Sequence, residues 1–298
     1  MEFQLTPFVI QEVKDTIEYC IPKGIRILNC EKLWNEGYTG KGIKVAVLDT
    51  GCDINHICLK DRIIDYKNFT FNGDKNDVTD IKGHGTHVAG IIAGNRVKEG
   101  VTGVAPDCEL IICKVISSHG GFDEDIIEGL EYAISKNVDI INMSIGGAGD
   151  HITMHKLIKK ATELGISVVC AGGNYGDGNA ETNELIYPGA YEEVIEVGAV
   201  DSNDMICKFS NSNNMIDVCS YGKGITSTFP NNRYAKLDGT SQATPHVSGV
   251  LALLKQKFKV EQGRVPTEME LYNELIKYTK QLEGVDKRLQ GHGVVHIF

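Results

Sequence analysis

The sequence predicts a three-layer α/β protein, in which a doubly wound, mostly parallel sheet lies between helices on both of its faces. Beyond residue 42, short apolar runs alternate with stretches of helical periodicity. Continuous apolar strands between helices are typical of a parallel sheet that is covered on both faces. The 298 residues include 42% hydrophobic residues and 33 glycines but 7 prolines, which indicates a sizeable core with many turns.

The first elements follow from the local sequence. The apolar run at 43–48 predicts a buried strand, and the small residues of 84–94 predict a helix. A second apolar run predicts a strand at 110–116. Residues 123–136 carry apolar side chains at helical spacing, which predicts an amphipathic helix.

The remaining elements continue this alternation. A helix at 155–164 is expected to end before Gly165, because glycine is favoured just beyond a helix. The other apolar runs predict strands at 138–143, 166–170 and 194–200, and periodic stretches predict helices at 241–255 and 268–278.

Residues 1–22 are expected to form an N-terminal extension, separate from a single domain at 23–298. Pro7 excludes a helix interior and biases the preceding Thr6 towards extended backbone. We therefore expect a strand-like segment around Pro7, followed by a short helix or a linker.

Charge and cysteine content limit the classes of partner. A net charge of −10 argues against nucleic acid or an anionic membrane surface as partner. The nine cysteines are odd in number and form no C-x-x-C motif, which favours free, mostly buried thiols in a reducing cytoplasm. The sequence shows no signal peptide and no membrane-spanning run. It therefore predicts a cytoplasmic protein, and it leaves a homodimer open.

Three short, turn-rich strings place an aspartate, a histidine and a serine beside predicted strands and helices. Asp49 ends the first strand, His84 opens the first helix, and Ser241 begins a helix near the C-terminus. At the carboxyl end of a strand, a carboxylate can orient a histidine that activates a serine hydroxyl. Taken alone, the aspartate could equally be a turn residue, the histidine a packing residue and the serine an ordinary helix N-cap.

The sequence pattern alone does not decide whether His84 or His87 is the base. A metal site at this pair is disfavoured, because the glutamate and the spacing of the H-E-x-x-H motif are absent. Pro245 is expected in the first turn of its helix. Ser241 would then lie at a helix N-terminus, where unpaired N–H groups stabilise negative charge.

In this order, the three strings resemble the signature segments of the subtilisin family of serine peptidases, and the resemblance covers about residues 24–298. It implies a subtilisin-like fold and a serine endopeptidase with the triad Asp49, His84 and Ser241. It also implies that Asn174 donates a hydrogen bond to the substrate oxyanion.

The same resemblance implies a cleft in which the substrate backbone pairs with two enzyme segments. The implied cleft residues are Gly120, Gly121, Ser144, Ile145, Gly146, Gly172, Gly173 and Ile186. An apolar pocket floor at Ile186 predicts a preference for apolar or aromatic side chains. The alternative, without a role in substrate binding, is that these glycines only form flexible turns. A cis peptide bond is expected before Pro188.

Two departures from the family pattern concern the nucleophile and the metal. Gln242 stands where methionine usually follows the serine. Cys58 stands where the family often has a calcium-binding aspartate, and the loop 95–100 contains arginine and lysine, which makes the usual strong calcium site doubtful. The remaining candidate for calcium is a weaker site at Ala190, Val194 and Asp217. The chemistry itself requires no cofactor.

Leu5, Thr6, Pro7 and Phe8 resemble a motif of the intracellular subtilisins, in which a short N-terminal extension lies in the active-site cleft. The resemblance implies an inhibitory segment with Pro7 near the scissile position. The alternative is a disordered tail or a strand that packs elsewhere.

The sequence thus predicts a zymogen of a cytoplasmic peptidase that acts on intracellular proteins through an acyl-enzyme. Its expected partners are peptide substrates and its own N-terminal segment. The alternatives are a catalytically silent binding or regulatory protein and a dedicated peptide-processing protease.

Overall fold

The computed structural model describes residues 2, 3, 5, 7–71 and 73–298, with backbone alone for Glu2 and Phe3. Thr6, one of the expected inhibitory residues, lies outside this set. The strands are β1 (Glu2–Phe3), β2 (Val9–Lys14), β3 (Lys44–Asp49), β4 (Ile63–Asn68), β5 (Glu109–Lys114), β6 (Gly121–Phe122), β7 (Ile140–Met143), β8 (Ser167–Ala171), β9 (Ile195–Val200), β10 (Ile216–Tyr221), β11 (Ile225–Phe229), β12 (Arg233–Asp238), β13 (Thr279–Lys280) and β14 (Val294–Val295). The helices are α1 (Lys23–Leu28), α2 (Glu31–Asn35), α3 (His84–Ala93), α4 (Asp123–Ser135), α5 (Ile152–Glu163), α6 (Thr240–Gln262), α7 (Glu268–Lys277) and α8 (Lys287–Gln290).

The central sheet has nine strands in the order β13-β14-β10-β9-β8-β7-β3-β5-β4. Every pair of neighbours is parallel except β13 with β14. Asp49 is the last residue of β3, and Ser144 and Gly172 directly follow the neighbouring strands β7 and β8. Because the carboxyl ends of parallel strands meet at one edge, this order gathers the predicted site.

Two hydrophobic clusters cover the two faces of this sheet. Val47 packs with α3 and α6 on one face, and its neighbour Leu48 packs with α4 and α5 on the other. Successive side chains of a strand point to opposite faces, so the continuous apolar run of β3 serves both layers. The predicted doubly wound three-layer α/β fold is confirmed.

The predicted strands and helices are present, and the differences have physical causes. The helix predicted at 241–255 extends to Gln262. The prediction ended too early because the last turns of this helix are polar and lack an apolar stripe. It ends at Gly263, whose φ of 67° is the left-handed conformation that glycine favours. β4 and β12 were not predicted because charged residues interrupt their apolar pattern.

The N-terminal residues correct one expectation. The strand-like segment expected around Pro7 continues as the strand β2, which runs to Lys14, where a short helix or a linker was expected. β2 joins β11 and β12 in a three-stranded antiparallel sheet, and β1 pairs with β6 in a second small sheet.

All nine cysteines are free thiols, and all except Cys20 are buried. In the part of the chain that the structure describes, no helix is both long and apolar enough to cross a membrane.

Candidate active site

Asp49 and His84 form a buried, hydrogen-bonded pair. His84 Nδ1 lies 2.8 Å from Asp49 Oδ1 and 3.1 Å from Oδ2, and both side chains are almost fully buried. The pair can approach because Gly85 follows the histidine: a Cβ there would lie 2.1 Å from the carbonyl oxygen of Gly51. Such a carboxylate fixes the histidine tautomer, leaving Nε2 free to accept a proton.

A buried carboxylate that sequence analysis did not identify braces this pair. Asp80 accepts hydrogen bonds from the Thr50 hydroxyl, the Gly83 amide, and both the amide and hydroxyl of Thr86. Thr50 Oγ1 in turn accepts the Gly85 amide at 2.9 Å. Burial raises the pKa of Asp80 above its usual range. The only sequence signal was an aspartate in a polar turn just before Gly83.

His87 points away from Asp49. Its Nε2 lies 3.0 Å from the carbonyl oxygen of Ile225 and 3.1 Å from that of Ala235, so the side chain ties α3 to β11 and β12. Burial lowers the pKa of His87 to about 3, which keeps the ring neutral. The geometry therefore separates two histidines that the sequence pattern alone left equivalent.

Ser241 lies in the first turn of α6, beside the segment that follows β7. Its hydroxyl donates to the carbonyl oxygen of Ser144 at 3.1 Å, and Ser144 Oγ donates to the Ser241 carbonyl at 3.0 Å. His84 Nε2 has no hydrogen-bond partner among the described residues. Bonds between nucleophile and base often tighten only when substrate binds.

Pro245 explains the second of these bonds. It lies in the second turn of α6, not in the first turn as expected. Because proline has no N–H, it cannot donate to the carbonyl oxygen four residues earlier, which is that of Ser241. Ser144 Oγ supplies the missing donor and so links the cleft wall to the serine.

Asn174 is held so that its NH₂ group faces the cleft. Its Oδ1 accepts the amide and the hydroxyl of Thr240 at 2.8 and 2.9 Å, while Nδ2 donates to the carbonyl oxygen of Pro7 at 2.8 Å. Gly173 has a φ of 105°, and a Cβ there would lie 2.2 Å from Asn211 Nδ2. Sequence analysis missed Asn211, a polar residue with no motif around it.

The N-terminal residues cross the site. The ring of Phe8 lies against His84, with ring centroids 4.9 Å apart, and packs on Phe229, Ala235 and Leu237. Leu5 packs against the second core cluster. Together with the bond from Asn174 to Pro7, these contacts place the segment against His84 and Asn174.

The expected cleft residues fall into three groups. Ile145 is buried in the core, next to Ser144 and Gly146, while Gly120 and Gly121 belong to the turn and strand that pair with the N-terminal segment. Gly172, Gly173 and Ile186 are adjacent: Ile186 Cδ1 lies 3.0 Å from the position of a Cβ on Gly173. Tyr187 and Pro188 are joined by the expected cis peptide bond.

Ile186 is only 6% exposed and fills the space behind Gly173. Further back lies Glu196, which sequence analysis also missed. Its Oε1 is 3.1 Å from the position of a Cβ on Gly189, and burial raises its pKa well above the usual range.

Gln242, which follows the serine, is fully buried. Neither its Oε1 nor its Nε2 has a hydrogen-bond partner in the described part of the chain. The Oε1 atom is close to Gly239, as is Nδ2 of Asn174. The substitution therefore places an amide beside the site without removing any member of it.

The residues around Cys58 do not fit a calcium ion. Its thiol lies 3.6 Å from the hydroxyl of Tyr234, and that hydroxyl donates to the carbonyl oxygen of Glu99 at 3.1 Å. The tyrosine thus ties the loop 95–100 to β12 through a carbonyl oxygen of the loop. Val97, Val101 and Cys58 complete an apolar and thiol cluster, where calcium prefers oxygen ligands.

The weaker candidate site does not fit either. Both carboxylate oxygens of Asp217 accept hydrogen bonds, from the Glu196 amide and from the Tyr272 hydroxyl, each at 2.8 Å. Burial raises the pKa of Asp217 to about 6. The cavity of about 460 Å³ beside Val194 and Asp217 is also lined by Lys287 and Arg288, which disfavour a cation. Among the described residues, no group of three or more acidic, histidine or cysteine side chains could hold a metal ion.

We expect Tyr234→Phe to lower thermal stability, because it removes the hydroxyl that joins Glu99 and Cys58. The loss of one buried hydrogen bond, about 1 kcal/mol, corresponds to roughly 2–4 °C in melting temperature. Calorimetry on the Ser241→Ala chain, which cannot digest itself, measures the change. Tyr175→Phe, at an exposed tyrosine, is the control. A calcium chelator should leave the melting temperature unchanged, and a large drop on chelation would contradict this account of the loop.

Comparison with known proteins agrees with this geometry. The profile of the Subtilase family of S8 peptidases matches residues 40–293. The chain belongs to the subtilase family. It is 46% identical to the major intracellular serine protease of Bacillus subtilis strain 168, over 99% of this chain and 93% of the relative. It is 48% identical to an intracellular serine protease of Paenibacillus polymyxa, over 93% and 85% of the two chains, and 40% identical to subtilisin DY of Bacillus licheniformis, over 80% and 85%.

Membership confirms two predictions made from the sequence, the subtilisin-like fold and the activity of a serine endopeptidase with an Asp-His-Ser triad. Subtilisins need no cofactor for catalysis. The expected intracellular location agrees with the names of the two intracellular relatives.

Proposed function

We propose that this chain is the zymogen of an intracellular serine endopeptidase, in which residues 1–22 inhibit a peptidase domain at 23–298. The observation that carries the proposal is the hydrogen bond from Asn174 Nδ2 to the carbonyl oxygen of Pro7. A substrate carbonyl at this position would be polarised by the same donor. The segment therefore lies as a substrate would, with Pro7 immediately before the scissile bond.

In the proposed mechanism, Ser241 Oγ attacks the substrate carbonyl and His84 Nε2 takes its proton. Asp49 stabilises the imidazolium through Nδ1, and Asn174 Nδ2 with the Ser241 amide stabilises the oxyanion. His84 then donates the proton to the leaving amine, which gives an acyl-enzyme. Water, activated by His84, hydrolyses the ester and restores the serine.

Two features of the segment support inhibition. Proline fixes its own φ and has no N–H, so it can bind yet hold the scissile bond out of line for attack. Phe8 covers His84 and occupies the side from which water would approach. Proposed partners are intracellular protein substrates and the segment itself. Neither nucleic acid nor a membrane is proposed, because the net charge of −10 disfavours both, and a homodimer stays open.

Limited proteolysis at the exposed residues Asp15 and Thr16 tests this proposal. We expect the intact chain to react slowly with a fluorophosphonate and the cut chain to react fast and stoichiometrically at the serine. The Ser241→Ala chain should not be labelled in either form. Equal peptidase rates before and after the cut would contradict inhibition, and absence of labelling after the cut would contradict the peptidase itself.

A further inference from the structure

The contact between β2 and β12 is made by backbone. All six residues of β2 are exposed, including Val9, which is 59% exposed, and Ile10, which is 47% exposed. The strands are antiparallel, with Val9 opposite Asp238 and Lys14 opposite Tyr234. Side chains that bury so little surface do not account for the pairing, so main-chain hydrogen bonds hold this strand in place.

The position of β2 relative to the reacting bond is fixed by Pro7. Its carbonyl oxygen lies on Asn174 Nδ2, so Phe8 takes the place of the first leaving-group residue. Val9 to Lys14 then correspond to the second through the seventh residues beyond the scissile bond. On the other side of Pro7, β1 pairs with β6, so the segment runs through the cleft without reversing.

We propose that β12 is the binding strand for the leaving-group half of substrates, which adds to β11 and β12 as a third antiparallel strand. The proposal rests on the proposed function, since it takes the inhibitory segment as a guide to the path of a substrate. Once the segment leaves, β12 becomes an edge with a row of unpaired N–H and C=O groups. Such an edge pairs with an extended peptide of almost any sequence.

The first leaving-group residue has a pocket of its own. Phe8 is partly buried against Phe229, Ala235 and Leu237, and its ring touches His84. An aromatic or large aliphatic residue after the scissile bond fits this surface. A small or charged residue there would leave the apolar surface exposed or desolvate its own charge.

Further along, the surface is polar and carries positive charge. The register shifts between Lys236 and Leu237, so Gln11 lies out of register and donates to Asp238 Oδ2 at 2.6 Å. Glu12 lies 3.8 Å from Lys236 and 3.3 Å from Lys14 of its own strand, which a substrate would not supply. A neighbouring cavity of about 330 Å³ is lined by three lysines, Lys23, Lys223 and Lys236, and by one aspartate, Asp201. The fifth leaving-group residue is therefore expected to be acidic in favoured substrates.

The substrate class is thus a long, extended peptide with a large apolar residue directly after the cut and an acidic residue four positions further on. A proline within the paired stretch would remove a donor from the ladder and weaken binding. This recognition does not depend on the pocket that holds the residue before the scissile bond.

The test uses the full chain after the limited cut and removal of the released peptide. Quenched peptides keep the same residues before the scissile bond and carry one, three, five, seven or nine after it. We expect kcat/KM to rise at least about tenfold up to seven residues and then level off. A peptide nitroanilide, which has no residue after the scissile bond, reports catalysis alone.

The charge preference gives a second measurement. With seven leaving-group residues, we expect a glutamate at the fifth position to be cleaved about threefold or more faster than a lysine, at a salt concentration low enough to limit screening. With the nitroanilide rate of each variant as the measure of catalysis alone, Lys236→Glu should reverse this order. Lys60→Glu, at an exposed lysine away from β12, should leave it unchanged.

The outcomes separate the two proposals. If kcat/KM does not change with the number of leaving-group residues while nitroanilide turnover is normal, β12 is not a binding strand, and the proposed peptidase activity is unaffected. An unchanged charge preference in Lys236→Glu overturns the acidic site. Loss of nitroanilide turnover in the cut chain overturns the proposed function, and the substrate strand with it.

Discussion

Replacing Asp49 by asparagine should lower kcat of the cut chain by about 10⁴-fold while the protein stays folded. That magnitude is known for the same change in another serine peptidase with this triad. Asp49 Oδ1 accepts the Thr50 amide at 2.7 Å, which fixes the asparagine oxygen at that position. Its NH₂ group would then take the place of Oδ2, which lies 3.1 Å from His84 Nδ1. The asparagine oxygen could still accept the bond from Nδ1, 2.8 Å away, but it carries no negative charge, and the NH₂ group would be a donor beside the same nitrogen. The histidine thus loses the charge that stabilises its imidazolium, and the second donor disfavours the tautomer that it needs as a base.

The matched control is Asp53→Asn. Asp53 is also an aspartate beyond β3 that accepts backbone amides, those of Asn55, Asn231 and Asn232, but no hydrogen bond joins it to His84. It should keep kcat within about threefold, since surface polar changes of this kind cost little. Turnover of a peptide nitroanilide gives kcat, and urea unfolding checks the fold. An Asp49→Asn chain that retained a tenth of the normal kcat would remove Asp49 from the triad.

The sequence predicted the part of the site that depends on strand order. Asp49, the cleft segment at Ser144 and the turn that leads to Asn174 each follow an apolar run that is recognisable on its own. A parallel sheet brings such turns to one edge, and the observed order places β3, β7 and β8 side by side. The alternation of elements was therefore enough to predict the fold class and the gathering of these residues.

The buried polar residues behind the site could not be predicted in the same way. Asp80, Asn211 and Glu196 act through partners that are distant in sequence or lie in irregular turns, and no spacing rule connects them. β12 was missed because its lysine and arginine mask the apolar face that packs under Phe8. The start of its partner β2 falls in the segment that was expected to be strand-like, but the part beyond Ile10 was expected to be a helix or a linker because that stretch is charged.

The exposure of the β2 side chains means that this strand is held mainly by its backbone. A strand held by its backbone can be displaced by another extended peptide, so in the proposed scheme inhibition and substrate binding would use one surface. The proline and the aromatic ring at the reacting centre distinguish the inhibitor from a substrate. Inhibition is thus expected to depend on Pro7 and Phe8 more than on the residues of β2.

Replacing Asn174 by alanine should lower kcat by about 10²–10³-fold with little change in KM, the size of effect measured in subtilisin itself for the loss of such a donor. The same change should weaken inhibition, because Nδ2 is also the donor to the Pro7 carbonyl. We therefore expect inhibition of the intact Asn174→Ala chain to weaken clearly, while the substrate affinity of the cut chain changes little. Fluorophosphonate labelling of the intact chain and nitroanilide kinetics of the cut chain measure the two effects.

The alanine variant has one ambiguity, since Asn174 Oδ1 also accepts the amide and hydroxyl of Thr240 at the start of α6. Asn174→Asp resolves it, because aspartate keeps that acceptor and removes only the NH₂ group. If the donor matters, the aspartate variant should lose at least as much kcat as the alanine variant, since its charge also repels the oxyanion. If the bond to Thr240 were the important one, the aspartate variant would be almost fully active. That result would leave the serine amide as the remaining oxyanion donor of the proposed mechanism.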